Sequence, residues 1–143
     1  MAENNYLNQA IFEVKIDNVK ADGFIRVMGM GVECEDIPAK DETGKSTVNN
    51  AGSVNARDIT LVRRFTGDKS LHEWMAEVKK QGNKAPRTGS IRMMNSERKQ
   101  VAQFDFEGAW IKAWYPPDLT KEAGANSNLV ETVVLSVSDL KMV

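Results

Sequence analysis

The chain has 143 residues, of which 27% are charged, and its formal net charge at pH 7 is −1. A chain of this length is expected to form one domain, residues 1–143, and its near-neutral charge gives no overall field that would recruit nucleic acid or an anionic membrane. The single cysteine, Cys34, excludes an internal disulfide framework and a cysteine-based zinc site, which fits a reducing compartment.

The N-terminal part is predicted to form a polar arm followed by strands. Residues 1–10 have neither the basic start nor the apolar run of a signal peptide, and no apolar run in the chain approaches the ~20 residues of a membrane helix. Ile11–Ile16 alternates apolar and charged side chains, as a half-buried strand does, and residues 24–28 resume an extended pattern.

The next strand is predicted over residues 31–37, with Val32 and Cys34 on the face opposite its two glutamates. Residues 38–55 then carry Pro, Gly, Lys, Asp, Ser and Asn and almost no large apolar residue. This composition predicts a long surface loop, and loops of this length tend to be functional or disordered. The sequence leaves both readings open, a contact made on assembly or a flexible insertion.

The clearest signal lies in residues 57–81, where a strand pattern changes to a helix pattern. Ile59 and Leu61 alternate with more polar neighbours, and the β-branched residues suit a strand. Ser70 and Glu73 are predicted to form a capping box at the first helical turn. An apolar stripe at helical spacing follows, made of Leu71, Trp74, Met75 and Val78. This helix needs a sheet to pack on, which the other segments should supply.

The C-terminal half is predicted to be extended. Residues 88–95 and 100–107 flank a polar turn and should form a hairpin, and Gly108 separates them from an aromatic strand over 109–115. Residues 130–137 close the chain with one apolar face. Seven or eight strands and one helix, without a βαβ rhythm, predict a mainly β fold: an antiparallel β-sandwich or distorted barrel with one flanking α-helix.

The sequence shows no constellation of catalytic or metal-binding groups. His72 is the only histidine and is expected on the exposed side of the helix, so neither a zinc set nor a cysteine–histidine pair is predicted. Gly29-Met-Gly31 lacks the rest of a dinucleotide loop, and Arg63-Arg64 is a weak nucleic-acid signal. The aromatic residues of the later strand could stack on bases, but packing in a core or an interface is the favoured role of Trp110, Trp114 and Tyr115. We therefore expect no enzyme and no cofactor, but a protein whose strand edges pair with its own copies.

Five motifs lie in order between about Phe12 and Leu140. They are Ala21-Asp-Gly-Phe24 with Val27-Met-Gly-Met-Gly-Val-Glu33-Cys-Glu35; Ile59-Thr-Leu-Val-Arg63 with Thr66-Gly-Asp68, Leu71 and Trp74; Gly89-Ser-Ile-Arg-Met-Met-Asn95; Ala109-Trp110 with Trp114 and Pro117-Asp-Leu119; and Glu131-Thr-Val-Val-Leu-Ser-Val137. Together they resemble the contractile tail tube proteins, the family of phage tail tubes and of the inner tubes of extracellular contractile injection systems. Departures from the family pattern are Ile111-Lys112-Ala113 and Ser138-Asp139.

The resemblance implies the sandwich with one helix already expected, a fold also similar to the hexameric tube protein of type VI secretion. It implies hexameric rings that stack into a tube, with four strands per subunit lining the lumen: residues 24–28, 31–37, 88–95 and 100–107. The residues expected to face the core from these strands are Val32, Cys34, Ile91, Met93, Phe104 and Phe106. The lumen-facing candidates are Arg26, Glu33, Glu35, Arg92, Gln103, Asp105 and Glu107. Such a mildly anionic wall would let DNA slide past without specific binding.

The resemblance also implies two sets of outer contacts. The 38–55 loop becomes the candidate contact between rings or subunits, through Lys40, Asp41, Lys45, Asn49 and Asn50. The helix is expected on the outer side of the tube. There Lys69, His72, Glu73 and Lys79 would face a neighbour, the sheath or solvent.

The implied function is a structural subunit of a contractile phage tail tube that conducts DNA and holds tape-measure protein. Sheath, baseplate and terminator proteins are the implied partners, no membrane insertion is expected, and the location is a virion tail assembled in the bacterial cytoplasm. The alternative is the inner tube of an extracellular contractile injection system, a cytoplasmic particle that delivers effector proteins. A type VI secretion tube protein, and a small hydrolase or ligand-binding β-barrel, are the remaining alternatives.

Overall fold

The computed structural model describes residues 11–19, 22–40, 47–121 and 129–143, with the backbone alone at residues 39–40 and 47–50. Within these ranges the chain forms nine strands, all paired antiparallel, and one α-helix. The strands are β1 (Ile11–Ile16), β2 (Phe24–Met28), β3 (Val32–Lys40), β4 (Thr47–Ala56), β5 (Ile59–Arg64), β6 (Arg87–Met94), β7 (Gln100–Tyr115), β8 (Val130–Ser136) and β9 (Asp139–Met142). Helix α1 spans Ser70–Gln81, and a 3-10 turn, Gly82–Lys84, follows it.

Two sheets share the long strand β7. The first sheet runs β1-β6-β7-β9 through the N-terminal half of β7, and the second runs β7-β8-β5-β2 through its C-terminal half. Gly108 lies between the halves with φ of 66°, where a side chain would collide with Ser138. The prediction of two separate strands around Gly108 is therefore wrong, because the glycine bends one continuous strand from the first sheet into the second.

The core fills the space between the two sheets and under the helix. Its side chains alternate along the strands with less buried ones, as predicted for β1, β5 and β8. The core side chains include Val14, Ile91 and Phe106 from the first sheet, Ile59, Leu61, Ile111, Val133 and Leu135 from the second, and Leu71 and Trp74 from α1. The predicted mainly β sandwich with one flanking helix is confirmed.

Strands β3 and β4 form a separate two-stranded sheet, called here the β3–β4 hairpin. Its ladder runs from Val32 opposite Ala56 to Lys40 opposite Thr47, so the prediction of a loop over residues 38–55 is wrong for the residues described. Val32 and Cys34 are exposed, which contradicts their predicted place in the core. The prediction failed because residues 32–38 are all exposed in the single subunit, so this part of the hairpin has no buried face that would require alternating apolar residues.

The predicted capping box is absent, and the helix begins at Ser70, one residue before the start that Ser70 as N-cap would give. Lys69 occupies the N-cap position, and its side chain makes no capping hydrogen bond. The Ser70 hydroxyl instead donates to the carboxylate of Asp68, as does the Ser70 backbone N–H at 3.3 Å. Asp68 is a charged acceptor two residues away, and it takes the hydroxyl that the capping box would have needed.

Candidate functional site

The first sheet turns a continuous polar surface away from the core. We call this surface the polar face. Cross-strand register places its members side by side, because residues directly opposite each other share a face. The polar face consists of Glu13 and Lys15 on β1, Ser90 and Arg92 on β6, Gln103, Asp105 and Glu107 on β7, and Asp139 and Lys141 on β9.

Hydrogen bonds run across the polar face from side chain to side chain. Arg92 Nε donates to Gln100 Oε1 at 2.7 Å, Gln100 Nε2 to Gln103 Oε1 at 3.2 Å, and Gln103 Nε2 to Asp105 Oδ1 at 2.8 Å. Arg92 also lies 3.9 Å from the carboxylate of Glu13. Many polar side chains of this face are therefore hydrogen-bonded or ion-paired to one another. They do not converge on one point as the reactive groups of an active site do.

A concave region of about 800 Å³ lies over one end of the polar face. Its charged lining residues are four carboxylates and two ammonium groups, those of Asp17, Asp105, Glu107, Asp139, Lys15 and Lys141. Among the residues that the structure describes, no three His, Cys, Asp or Glu side chains come together as a metal site. In the same described ranges, no helix has the length and apolar character needed to cross a membrane.

Four of the seven predicted lumen-facing residues come together here. Arg92, Gln103, Asp105 and Glu107 all belong to the polar face. Arg26 lies elsewhere, on β2 of the second sheet, opposite Val62.

Glu33 and Glu35 lie exposed on the β3–β4 hairpin, apart from the polar face. Sequence reasoning missed Asp139 and Lys141, because the strand that carries them has only four residues. The alternation of β1 did contain the signal for Glu13 and Lys15.

The predicted assembly-loop residues lie on or beyond the β3–β4 hairpin. Lys40 ends β3 opposite Thr47. Asn49 and Asn50 lie in β4, and Asp41 and Lys45 fall outside the described residues. The base of the hairpin is closed by the Arg57 N–H, which donates to the Gly31 carbonyl at 2.9 Å.

All four predicted outer-helix residues are exposed, namely Lys69, His72, Glu73 and Lys79. The ring of His72 nevertheless lies 5.1 Å from the ring of Trp114, at an interplanar angle of 53°. Trp114 Nε1 in turn donates to Glu131 Oε2 at 3.1 Å. His72 thus combines an exposed position on the helix with a ring contact to the second sheet.

The Arg63-Arg64 pair divides between core and surface. Arg63 is buried and paired with Glu131, so it is a structural residue, whereas Arg64 is exposed. Arg63 Nη1 also lies 3.1 Å from Asp68 Oδ2. The Ser70 hydroxyl, followed by the Ser70 N–H and Arg63, lowers the pKa of Asp68 below its ordinary value of 3.8, against burial, which raises it.

Comparison with known proteins agrees with this architecture. The family model described as T4-like virus tail tube protein gp19 matches residues 8–141, whereas no curated protein matches. The solved sheath–tube complex of an extracellular contractile injection system (PVC) in its extended state is similar with a TM-score of 0.81 at 19% identity, covering 97% of this chain and 92% of that chain. The tube-terminating cap of the anti-feeding prophage gives 0.82 at 19% identity, covering 100% and 94%. Hcp1 from Flavobacterium johnsoniae gives 0.56 at 19% identity, covering 92% and 93%.

These likenesses show a shared fold, and the family match extends over nearly the whole chain. The chain belongs to the T4-like virus tail tube protein gp19 family, and it is a structural tail tube protein of a phage or contractile injection system and not an enzyme.

Proposed function

We propose that the chain forms homohexameric rings that stack into a hollow tail tube, with the polar face lining the lumen. The polar face carries this proposal. The first sheet buries one side in the core and presents on the other a continuous set of charged and amide side chains. A sheet of this kind can form the inner wall of a water-filled tube.

The charge of the polar face suits a passing polyanion. It carries four carboxylates, Glu13, Asp105, Glu107 and Asp139, and three cations, Lys15, Arg92 and Lys141. A phosphate backbone would therefore meet no surplus of cations, and the counterion release that drives phosphate binding would be absent. The proposed cargo is DNA, which passes without specific binding after tape-measure protein has left the lumen. The proposed location is a virion tail, and the proposed protein partners are the sheath, baseplate and terminator proteins.

The β3–β4 hairpin is the proposed contact between copies. A two-stranded hairpin exposed on both faces is marginally stable by itself. Glu33 and Glu35 stay predicted lumen residues, and a neighbouring subunit that holds the hairpin would fix their position. Arg26 is not part of the proposed wall.

The inner tube of an extracellular contractile injection system is the second candidate. It is favoured by the similarity in fold to the PVC sheath–tube complex and the anti-feeding prophage cap. The cargo would then be effector protein instead of DNA. Genes for capsid and packaging proteins beside this one would favour the phage, and genes for toxins would favour the injection system.

Electron microscopy of the purified protein in negative stain tests the assembly. We expect rings or hollow tubes, because among the described residues the outer edges of the hairpin and of the two sheets pair with no further strand. A strict monomer at high concentration, with no tubes even on a baseplate template, would overturn the proposal.

Thiol labelling tests which face lines the lumen. In a Cys34→Ser background, Asp105→Cys places a thiol on the polar face, and Lys79→Cys places a matched thiol on the helix. A bulky polymer maleimide should label both in free subunits, but only the thiol at position 79 in assembled tubes. Equal labelling of the two positions in tubes would remove the polar face from the lumen.

A further inference from the structure

An apolar cavity lies at one end of the second sheet. Tyr115, Leu119 and Leu129 line a space of about 510 Å³ there. Phe65 lies beside it, and the Phe65 N–H donates to the Leu129 carbonyl at 2.9 Å. These four residues, called here the apolar cup, are all exposed, Leu119 by 82%. Large apolar side chains grouped on a surface mark an interaction site, and a pocket of this size takes a small group of side chains.

The segment before β1 carries one apolar pair in polar surroundings. Residues 1–10 lie outside the described residues, and their sequence places Tyr6 and Leu7 between amide side chains. A tyrosine combines a large apolar ring with a hydroxyl, which makes it a frequent anchor at protein interfaces. Tyr6-Leu7 is therefore a short motif whose burial in an apolar pocket would be favourable.

Leu7 cannot reach the apolar cup of its own subunit. Ile11 begins β1 opposite Met94, beside the first residue of β7, whereas Tyr115 is the last residue of β7. The chain of β7 is about 50 Å long, and even a right angle at Gly108 would leave its two ends about 35 Å apart. The four residue steps from Leu7 to Ile11 span at most about 14 Å. A cup that takes up Leu7 therefore belongs to another copy of the chain.

The charges around the apolar cup suit the same segment. Arg64 and Lys121 are exposed and adjoin residues of the cavity in the chain. Asp118 lines the cavity, so its surroundings carry two cations and one carboxylate. Glu3 is the one charged side chain among residues 1–10 and gives that segment a negative charge. Exposed charges are screened, so the attraction is modest, and it favours this occupant over a basic one.

We infer that the apolar cup of each subunit receives Tyr6 and Leu7 of another copy of this chain in the assembled tube. The inference rests on the proposed function, because only an assembly of copies brings the β1 end of one subunit to the cup of another. The donated segment and the cup belong to opposite ends of β7, so the contact is head-to-tail and repeats from subunit to subunit. Each copy then donates one segment and receives one.

Disulfide cross-linking tests the contact directly. In a Cys34→Ser background, Leu7→Cys places a thiol in the donated segment, and Leu119→Cys places one in the apolar cup. A disulfide forms when the two Cα atoms come within about 7 Å. Oxidation of assembled tubes that carry both cysteines should give a ladder of linked subunits on a non-reducing gel, because each subunit is linked through its segment and through its cup.

Matched variants show whether the link is specific. Either cysteine alone should give no ladder. Leu7→Cys combined with Lys79→Cys offers an exposed thiol on α1 in place of the one in the cup, and it should link far less. Leu129→Cys is a second thiol in the cup, for use if Leu119→Cys prevents assembly. Tubes in which the cup thiols link no better than the thiol at position 79 would overturn the inference.

A double-variant cycle tests whether the apolar pair and the cup act on each other. Leu7→Ser and Leu119→Ser should each raise the subunit concentration needed for tube assembly about tenfold, because each removes one side of the same apolar contact. The double variant should then be little worse than either single variant. Asn8→Ser, beside the pair, is the control and should stay within about twofold of wild type. Effects that multiply to about a hundredfold would place the two leucines in separate contacts and overturn the inference.

The outcomes separate the inference from the proposed function. Tubes that form from Leu7→Ser or Leu119→Ser at the wild-type concentration would overturn the inference and leave the proposed function standing. The cup would then be open to a different partner, such as a sheath protein. If a serine variant does not assemble at any concentration, the cross-linking result decides. A wild-type protein that forms neither rings nor tubes would remove the proposed function, and the inference with it.

Discussion

Arg63 and Glu131 form a buried ion pair across β5 and β8, where they stand directly opposite each other. Arg63 Nε and Nη2 donate to Glu131 Oε1 at 2.9 and 2.5 Å, and the two residues are 2% and 1% exposed. The other carboxylate oxygen accepts from Trp114, and Arg63 Nη1 reaches Asp68. The pair thus connects the second sheet with the turn that begins α1.

Arg63→Met is expected to destabilise the subunit by about 3–5 kcal/mol, because it leaves the Glu131 carboxylate buried without its cation. Urea unfolding under conditions that keep the protein unassembled measures this as a lower midpoint with an unchanged slope. Arg57→Met is the control, since it breaks the exposed pair of Arg57 with Glu33 and should cost less than about 1 kcal/mol.

A double variant sharpens this prediction. Arg63→Met combined with Glu131→Met replaces both charges by apolar groups, which is often far less costly than breaking a buried pair. The double variant should therefore be more stable than Arg63→Met alone. If Arg63→Met costs no more than Arg57→Met, the pair does not hold the sheet to the helix.

Asp68 is expected to make stability depend on pH in the acid range. The hydroxyl of Ser70, above all, lowers the pKa of Asp68 in the folded protein. A folded-state pKa below the unfolded value of 3.8 gives a stabilisation that is present above that value and is lost as pH falls through the folded pKa. Asp68→Asn should therefore lower the midpoint of thermal unfolding at neutral pH, and the difference from wild type should vanish in strong acid.

Ser70→Ala provides the companion measurement, because it removes the largest cause of the lowered pKa while leaving the carboxylate in place. The acid dependence of the Ser70→Ala variant should lie between those of wild type and Asp68→Asn. A difference between wild type and Asp68→Asn that stays constant from neutral pH into strong acid would contradict the assignment.

Gly89 is expected to tolerate no side chain. A Cβ there would lie 2.6 Å from the Lys15 carbonyl and would also collide with the ring of Phe106. Gly89→Ala should cost about 1–3 kcal/mol, as overpacking of a close contact does. Ser90→Ala, one residue along on the polar face, should stay within about 0.5 kcal/mol of wild type in the same urea experiment. Equal midpoints for the two variants would show that β1 and β7 can move apart.

Elements that cover the core within one subunit could be predicted from the sequence. Ile59 and Leu61 alternate because β5 buries one side, and Leu71 and Trp74 repeat at helical spacing because α1 lies on the sandwich. The same argument placed Asp105 on the outward side of its strand. A strand or helix that buries one face therefore has apolar residues at a regular spacing in its sequence.

The β3–β4 hairpin could not be predicted in this way. Asn49, Asn50 and Gly52 lie in β4, yet they are poor strand formers. Their strand is fixed by pairing with β3 and, as we propose, by copies of the chain that cover it on assembly. The four-residue strand β9 was not predicted because its register comes from pairing with β7, whose residues Phe104–Glu107 lie far earlier in the chain. In both cases the deciding contact lies outside the local pattern.

Cys34 is expected to report on assembly without any mutation. It is exposed on the hairpin of the free subunit, so a small thiol reagent should label it readily. If another copy covers the side of the hairpin that carries Cys34 in the tube, labelling should slow several-fold on assembly, because thiol reactivity depends on access. The comparison is a thiol placed on α1 by Lys79→Cys in a Cys34→Ser background, which should react equally fast in free subunits and bare tubes. An unchanged rate at Cys34 would mean that the hairpin stays uncovered, and the contact between copies would have to be sought on another surface.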